Sequence, residues 1–520
     1  MAKLKINNID VEVESGATIL DAANKVGVHI PTMCYLEGRR ASTSCMVCVV
    51  QANGRKGLVP SCGAVAQDGM EVVTDSEEVL LARRRAVELL LSEHVGDCVG
   101  PCVMGCPAGM NIPLMIRQIV AGKLDEAIRT IKRDIPLAAV MGRVCPAPCQ
   151  KVCRRNDYDD YVSICLLKRF VADYDLACGS PYVPECKQSI GKRVAIIGAG
   201  PAGLSAGYYL VQEGVGCVIY DERQKIGGML RYGVSADVCS EKVLEAEIDL
   251  IKQMGVEFRM ECRVGRDISV EQLRKEFDAV FIATGVDAGV IEFDNLEHKG
   301  ESVKVDKKTY ATNIEGVFAG GDVTGKRQLA IRAIADGKEA AVAIEQYLTG
   351  QEVVGAAKRF NSRMGKCSAE EIEMFVSNAS RQDRILPDDH SDIGYPPMQA
   401  VAEARRCLHC DCRKPNECKL RQVAEWTGAK ASQYKSQRRE FVQYCEHVDV
   451  VFEPGKCINC GLCVQITSSE KENLGLTFIG RGFEVHVGIP FDEKLSEGLQ
   501  LTADKCVRAC PTGALSYKTQ

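Results

Sequence analysis

Cysteine is the residue whose spacing carries the most chemistry in this 520-residue chain. There are 27, and all but eight (Cys165, Cys178, Cys186, Cys217, Cys239, Cys262, Cys367 and Cys445) fall in tight groups. Grouped thiolates can pair as disulfides or share a soft metal centre. The first group, Cys34-x10-Cys45-x2-Cys48-x13-Cys62, offers four sulfurs with a close pair, as a loop folded over a [2Fe–2S] cluster needs. Four cysteines also suit a tetrahedral zinc site. Next come His94-x3-Cys98-x3-Cys102-x3-Cys106-Pro107 and Cys145-Pro-Ala-Pro-Cys149-x3-Cys153. Cys-Pro suits a cubane site, because proline ends a helix and leaves backbone N–H groups for the sulfurs. Cys407-x2-Cys410-x-Cys412-x5-Cys418 encloses His409 and is compact enough to wrap one centre, either [4Fe–4S] or zinc. Last, Cys457-x2-Cys460-x2-Cys463 takes one face of a cubane that the remote Cys510-Pro511 closes.

A second chemistry is written in glycine. The stretch KRVAIIGAGPAGLSAGYYLVQEGVGCVIYDE sets Gly198, Ala199, Gly200, Pro201, Ala202 and Gly203 between a strand and a helix, and Asp221 and Glu222 at the end of the next strand. Such glycines let the backbone approach a pyrophosphate, and the helix N-terminus supplies oriented N–H groups. Asp221, eighteen residues after Gly203, is placed to accept from a ribose hydroxyl.

These residues need elements to hold them. Residues 1–75 read as short strands, and 76–92 as a helix that opens on Ser-Glu-Glu. From 93 to about 185 the chain is mostly helical, and from 192 to about 350 it has α/β character. Residues 351–400 are polar and read as a wrapping linker. The divisions expected are 1–92, 93–187, 188–350, 351–425 and 426–520, a multidomain α+β and α/β architecture.

Composition narrows the options. With 65 Lys+Arg against 70 Asp+Glu and no basic block, nothing points to nucleic acid. No run of about 18 apolar residues is present to span a bilayer, and the alternating N-terminus lacks the apolar core of an export signal. So many thiols without export signals fit a reducing cytoplasm and metal rather than a disulfide scaffold. No Ser–His–Asp arrangement, H-E-x-x-H or P-loop lysine motif is visible.

Three resemblances follow. The stretch IPTMCYLEGRR-ASTSCMVCVV to DGMEVVTDSEEVLLARRRAVELLLSEH resembles the ferredoxin module of the large iron–sulfur subunit of complex I and of NAD-linked hydrogenases. This implies a β-grasp, plant-type [2Fe–2S] domain. The phrase GKCINCGLCVQI…CVRACPTGAL resembles a ferredoxin-like [4Fe–4S] segment of the same subunit, in which Cys510 ligates and Cys506 is spare. Between them, CPAGMNIPLMIRQIVAGKLDEAIRTI…GRVCPAPCQKVCRR looks like the helical two-cluster domain of the glutamate synthase small subunit and dihydropyrimidine dehydrogenase. It implies Cys98, Cys102 and Cys153 on one [4Fe–4S] cluster and Cys106, Cys145 and Cys149 on the other. An upstream cysteine of that family is absent, which makes His94 the candidate fourth ligand of the first cluster, or else a helix-end histidine. For the second, the family's polar ligand falls at about Lys168, a poor ligand while charged; Cys165, one turn earlier, could substitute or be a buried thiol.

The same flavoproteins share IGGMLRYGV (Gly227, Gly228, Met229), DAVFIATG (Ala283, Thr284, Gly285) and NIEGVFAGGDVTG (Gly321, Asp322), which implies FAD in a Rossmann-type domain. In that family a second, NADPH-binding domain is inserted after the ATG strand. Here Gly285 and Gly316 are only 31 positions apart and no second glycine fingerprint occurs. The expectation is an iron–sulfur flavoprotein subunit of an anaerobic, electron-bifurcating or simply relaying, oxidoreductase. Its cofactors would be FAD, one [2Fe–2S] and three to four [4Fe–4S] clusters. Its partners would be an NADH-dehydrogenase-type flavoprotein and a hydrogenase- or formate dehydrogenase-type subunit. The alternative is a stand-alone FAD/Fe–S oxidoreductase that reduces a small substrate at the flavin.

Overall fold

The computed structural model describes residues 1–285, 295–387, 394–434 and 438–518. It divides into two compact units that interleave along the chain. One comprises 1–99, 359–378 and 410–520; the other comprises 100–358 and 379–409.

The first unit opens with Ala2–Ile6 and Ile9–Val13, an antiparallel hairpin pairing Ala2 with Val13 and Ile6 with Ile9. Asn7 and Asn8 turn it with φ 48° and 68°, the left-handed pair that a two-residue hairpin with right-handed strand twist requires. Ala2, Leu4 and Ile6 are buried while Lys3 and Lys5 face out, the period of two expected of a one-sided sheet. Glu71–Val73 joins parallel to the first strand, and Val49–Ala52 and Leu58–Pro60 complete five strands. Inside this strand-rich stretch sits a helix, Ile19–Lys25, started by a reciprocal Thr18–Asp21 cap. The helix read at 76–92 forms as Glu77–Ser92 with Ser76 as N-cap. Its fully buried Arg83 donates to the Val49 carbonyl at 3.0 Å.

The rest of this unit is built on two antiparallel strand pairs, Val450–Phe452 with Leu515–Tyr517 and Thr477–Ile479 with His486–Gly488. Helices Leu462–Ser469 and Ala503–Ala509 pack over a core that includes Phe452, Ile466, Leu495 and Leu499.

The second unit combines helices Ile112–Val120, Leu124–Lys132, Ala138–Val144 and Ile164–Ala177 with an α/β half. At Gly142 an added Cβ would lie 2.8 Å from the Arg169 backbone, so two of these helices cross in near contact. The α/β half is a five-stranded parallel sheet in the order Val317–Ala319, Ala279–Ile282, Arg193–Ile197, Gly216–Tyr220, Glu257–Arg259. Val194 and Ile196 enter one core and Ala195 and Ile197 another, as befits a sheet covered on both faces. Helices Pro201–Gln212 and Ala330–Leu348 pack on it. Between Gly285 and Gly316 the described residues form one short hairpin, His298–Lys299 with Ser302–Val303; residues 286–294 lie outside the described set.

The stretch read as a wrapping linker carries two helices. Residues 359–378 belong to the first unit, with helix Ala369–Val376, and 379–409 to the second, with helix Pro397–Ala404. Polar composition is misleading here because the buried polar groups are partnered: Glu403 accepts from Ser163 N and Ile385 N, both at 2.8 Å. Among the described residues, no helix is long and apolar enough to cross a membrane.

Candidate cofactor sites

In the first unit, Cys457, Cys460, Cys463 and Cys510 line one small pocket with Phe452, Ile458, Leu462, Val487 and Leu515. Cys510 is the C-cap of helix Ala503–Ala509 at φ −63°, ψ 118°. A residue before proline is pushed out of the α region, and the chain turns there. Asn459 in the facing loop is left-handed, φ 50°. Burial raises Cys457 and Cys460 to about 12 each; such thiols ionise readily only beside a cation or metal. Cys506 is fully buried and absent from the lining.

The first cysteine group closes as the spacing requires. Cys34 Sγ and Cys45 Sγ are 3.4 Å apart, and Cys48 and Cys62 are 3.3 Å apart. Hydrogen bonds from Cys45 and Cys62 hold Cys34 far below the ordinary thiol value, and Cys62 draws Cys48 to about 7. Met46, between the close pair, is left-handed at φ 54°, a conformation that costs a non-glycine residue about 1–2 kcal/mol and turns successive N–H groups to one side.

The third site in this unit is assembled from two distant segments. Asp97 and Asp411 form a parallel bridge. Burial raises Cys98 and pushes Cys418 up to about 12, and Cys412 lies near enough to both to add to the rise. Ser362 N donates to Cys98 Sγ at 3.3 Å. His94 Nδ1 is sealed from solvent with no hydrogen-bond partner. Burial, then the neighbouring Lys456 ammonium, lowers its pKa to about 4. The ring is therefore neutral at pH 7, the form that ligates a metal. The resemblance set Cys98 with Cys102 and Cys153; here Cys98 lies in the unit that holds Cys412 and Cys418, Cys102 and Cys153 lie in the other, and the run Cys407–Cys418 is divided, with Cys407 in the second unit and Cys410 in the first.

In the second unit Cys106, Cys145, Cys149 and Cys165 line one pocket with Met110, Ile112, Ile135, Ile164, Lys168 and Ile331. Cys106 and Cys145 are again helix C-caps before proline. Ala147, φ 51°, turns the loop between Cys145 and Cys149. Hydrogen bonding to the Cys165 sulfur, then burial, pushes Cys145 upward. Lys168 is 3% exposed; burial works against its charge, but Cys165, Cys145, Cys106 and Cys149 outweigh it and raise its pKa. Helix Pro101–Gly105 lies against Pro148–Lys151, where a Cβ on Gly105 would meet Val152 at 2.4 Å. Cys153 and Cys407 are tied to one neighbourhood because Arg155, two residues on from Cys153, donates to the Arg406 carbonyl. Among the described residues, no three His, Cys, Asp or Glu side chains close as tightly as a single ion demands.

The glycine loop opens a cleft lined by Gly198, Gly200, Pro201, Ala202, Asp221, Glu222, Gly228, Met229, Ala283, Thr284, Gly285, Gly321 and Asp322. Ala199, Gly203 and Gly227 support it from behind. A Cβ on Gly198, φ 113°, would stand 2.4 Å from the Ala283 carbonyl, and one on Gly203 would stand 2.0 Å from the Gly198 oxygen; only glycine fits. Asp221 accepts from Ala199 N at 2.7 Å and Arg223 N at 2.8 Å, which fixes its carboxylate at the loop. Thr284 Oγ1 is buried, without a hydrogen-bond partner, in the wall of the cleft. A glycine-floored cradle with an orphaned hydroxyl fits a dinucleotide such as FAD. Arg223 and Arg263 also line it and escaped the sequence reading. Arg263 follows the edge strand Glu257–Arg259, whose position beside Gly216–Tyr220 has no local signal.

The matches to known families parallel this geometry. Residues 1–77 match a 2Fe-2S iron-sulfur cluster binding domain, and 92–179 match domain II of dihydropyrimidine dehydrogenase, 4Fe-4S cluster. Residues 196–245 match an NAD(P)-binding Rossmann-like domain, and 234–337 the pyridine nucleotide-disulphide oxidoreductases. The chain thus carries modules that match iron–sulfur-cluster-binding and Rossmann-type families. It is 42% identical over 187 residues to the NADPH-Fe(3+) oxidoreductase subunit beta of Geobacter sulfurreducens, covering 36% of this chain and 28% of that one. It is 40% identical over 209 residues to the NADP(+)-dependent formate dehydrogenase subunit beta of Moorella thermoacetica, covering 36% and 30%. With the NAD-dependent dihydropyrimidine dehydrogenase subunit PreT of Salmonella typhimurium it shares 33% over 270 residues, covering 49% and 63%. The chain thus spans under a third of the length of the first two relatives.

Proposed function

We propose that this chain is an electron-relay subunit of a multi-subunit oxidoreductase. It works between an NADH-dehydrogenase-type flavoprotein and a catalytic partner of the hydrogenase or formate dehydrogenase type. Cys34, Cys45, Cys48 and Cys62 hold a [2Fe–2S] cluster. Four [4Fe–4S] centres are held by Cys457, Cys460, Cys463 and Cys510; by His94, Cys98, Cys412 and Cys418; by Cys106, Cys145, Cys149 and Cys165; and by a set that includes Cys102, Cys153 and Cys407. When bound, FAD would exchange electrons in pairs or singly, and each cluster would carry one at a time.

One observation carries the reading. Helix Ala330–Leu348 lines the four-cysteine pocket with Ile331 and the dinucleotide cleft with Ala333. Residues two apart on a helix point about 200° from one another, so the two cofactor sites lie on opposite sides of the first turn of this helix. Ile331 keeps water out of the sulfur pocket, while Asp221 and the Gly198–Gly203 loop orient the dinucleotide. The short connection from Gly285 to Gly316 supports a flavin served by partners rather than by a nucleotide domain of its own.

The test is anaerobic purification of the full chain with iron, sulfide and flavin analysis, then mixing with NADH or NADPH alone. Expected are one FAD and about 18 irons per chain, with no fast reduction by either nucleotide until a partner is added. Rapid flavin bleaching by NADPH alone would overturn the relay reading in favour of a stand-alone flavin enzyme, and near-zero iron would overturn the cluster assignment.

A further inference from the structure

Lys168 lies on helix Ile164–Ala177, three residues after Cys165, and so projects from the same face. It is 3% exposed and shares its pocket with the four sulfurs of Cys106, Cys145, Cys149 and Cys165. The other walls are apolar or proline: Pro107, Met110, Ile112, Ile135, Pro148 and Ile331. Among the described residues, no carboxylate forms an ion pair with it; every ion pair of a buried lysine or arginine in this unit lies elsewhere.

The neighbouring cations of the same unit are arranged differently. Arg155, beside Cys153, donates to both oxygens of Asp159 at 2.7 Å. Arg406, beside Cys407, donates to Glu403 at 2.9 Å and Asp159 at 3.1 Å. Two guanidinium groups there meet two carboxylates, and the network is neutral. At Lys168 the groups that face the ammonium are the four sulfurs, which become negative once they hold a metal centre. A buried ammonium without a partner costs several kcal/mol of desolvation, so its retention demands a permanently negative neighbour.

We infer that Lys168 is a fixed counter-charge to the centre held by Cys106, Cys145, Cys149 and Cys165, setting that centre's reduction potential above the value four thiolates alone would give. This rests on the ligand set proposed above. The sign follows from charge. One-electron reduction adds a negative charge inside a low-dielectric pocket, and a fixed positive charge beside it favours the reduced state more than the oxidised one. The cation is a positioning charge, not a ligand, because Cys165 already completes the four sulfurs.

The experiment is an anaerobic redox titration of the full holo-chain followed by electron paramagnetic resonance, with iron content measured alongside. In Lys168→Met the centre should persist with unchanged iron, and its oxidised-to-reduced ratio at fixed ambient potential should rise at least tenfold. That is a shift of about 59 mV to more negative potential for a one-electron couple. Lys168→Arg, which keeps the charge, should stay within threefold of wild type. Cys165→Ser in the Lys168 background reports separately on the ligand set. If it keeps full iron and an unaltered signal, the proposed ligand set fails, whatever Lys168 does. If Lys168→Met leaves the potential of an intact centre unmoved, the counter-charge inference is overturned while the ligand set stands. Loss of the centre in both Lys168→Met and Lys168→Arg would make Lys168 a ligand and also overturn it.

Discussion

Two pockets in this molecule are closed in the same way and furnished differently. In each, a seven-residue helix ends on a Cys-Pro pair, Ala138–Val144 at Cys145 and Ala503–Ala509 at Cys510. Each helix is held at its other end by a buried glutamate. Glu247 accepts from Ala139 N at 2.7 Å and Val140 N at 2.9 Å. Glu472 accepts from Leu501 N at 3.0 Å and Thr502 N at 2.9 Å. A carboxylate at the N-terminus also complements the helix dipole, so the sulfur at the far end is located by a rod pinned at its base. The linings then diverge. The Cys510 pocket has Thr512 as its one polar side chain besides the thiols, whereas the Cys145 pocket contains Lys168. Lys414 approaches Cys510 only from the carbonyl side, donating to the Val507 and Cys510 oxygens at 2.8 and 3.1 Å. Geometry has been repeated and charge has been varied.

That comparison can be broken most directly by removing a sulfur from each pocket. Cys510→Ala and Cys165→Ala should each lose about four irons per chain and leave the remaining centres spectroscopically intact. Unchanged iron in either variant breaks the symmetry. Gly198→Val should reduce bound flavin at least tenfold by absorbance, because its side chain would meet the Ala283 carbonyl, while iron stays at the wild-type level. The glutamate pins offer a finer test. Burial raises Glu247 to about 7, above its unfolded value near 4.3. The folded state therefore holds the extra proton, and stability declines as pH rises from about 4.3 to 7, by roughly 3 kcal/mol in all, then levels off. Between pH 6 and 7 thermal unfolding of the wild type should fall, and Glu247→Gln should flatten that slope. Glu472→Gln should cost about 1–3 kcal/mol in the first unit. The smallest effect is expected at Thr18→Ala, which removes one cap in the N-terminal module and should cost about 1 kcal/mol.

Local signals were readable where a ligand set is local. The Cys-Pro pairs, the Gly198–Gly203 loop with Asp221, and the close pairs Cys45/Cys48 and Cys457/Cys460 stand in the structure where spacing placed them. Cys165 joined Cys106, Cys145 and Cys149 because a helix carries residues one turn apart on one face. The resemblance set Cys98 with Cys102 and Cys153, and compactness set Cys407–Cys418 together; each of these groups is split between the two units. The rung joining Asp97 to Asp411 is set by long-range pairing for which the neighbouring residues give no cue. The helix Ile19–Lys25 was lost among strands, although Thr18-x-x-Asp21 is a start signal in its own right.

The same rung has a consequence for how the protein is made. Cys98 leaves the ribosome more than 300 residues ahead of Cys412 and Cys418, which lie near it. At 5–20 residues per second this is an interval of roughly 15–60 s. Throughout it one half of this proposed site is already synthesised and the other does not exist. The second unit falls wholly within that interval, so its sulfur pocket is complete before the Cys98 site is. Assembly of the centres would then follow the order of translation of their last ligands, with the Cys106–Cys165 centre early and the Cys510 centre at the end.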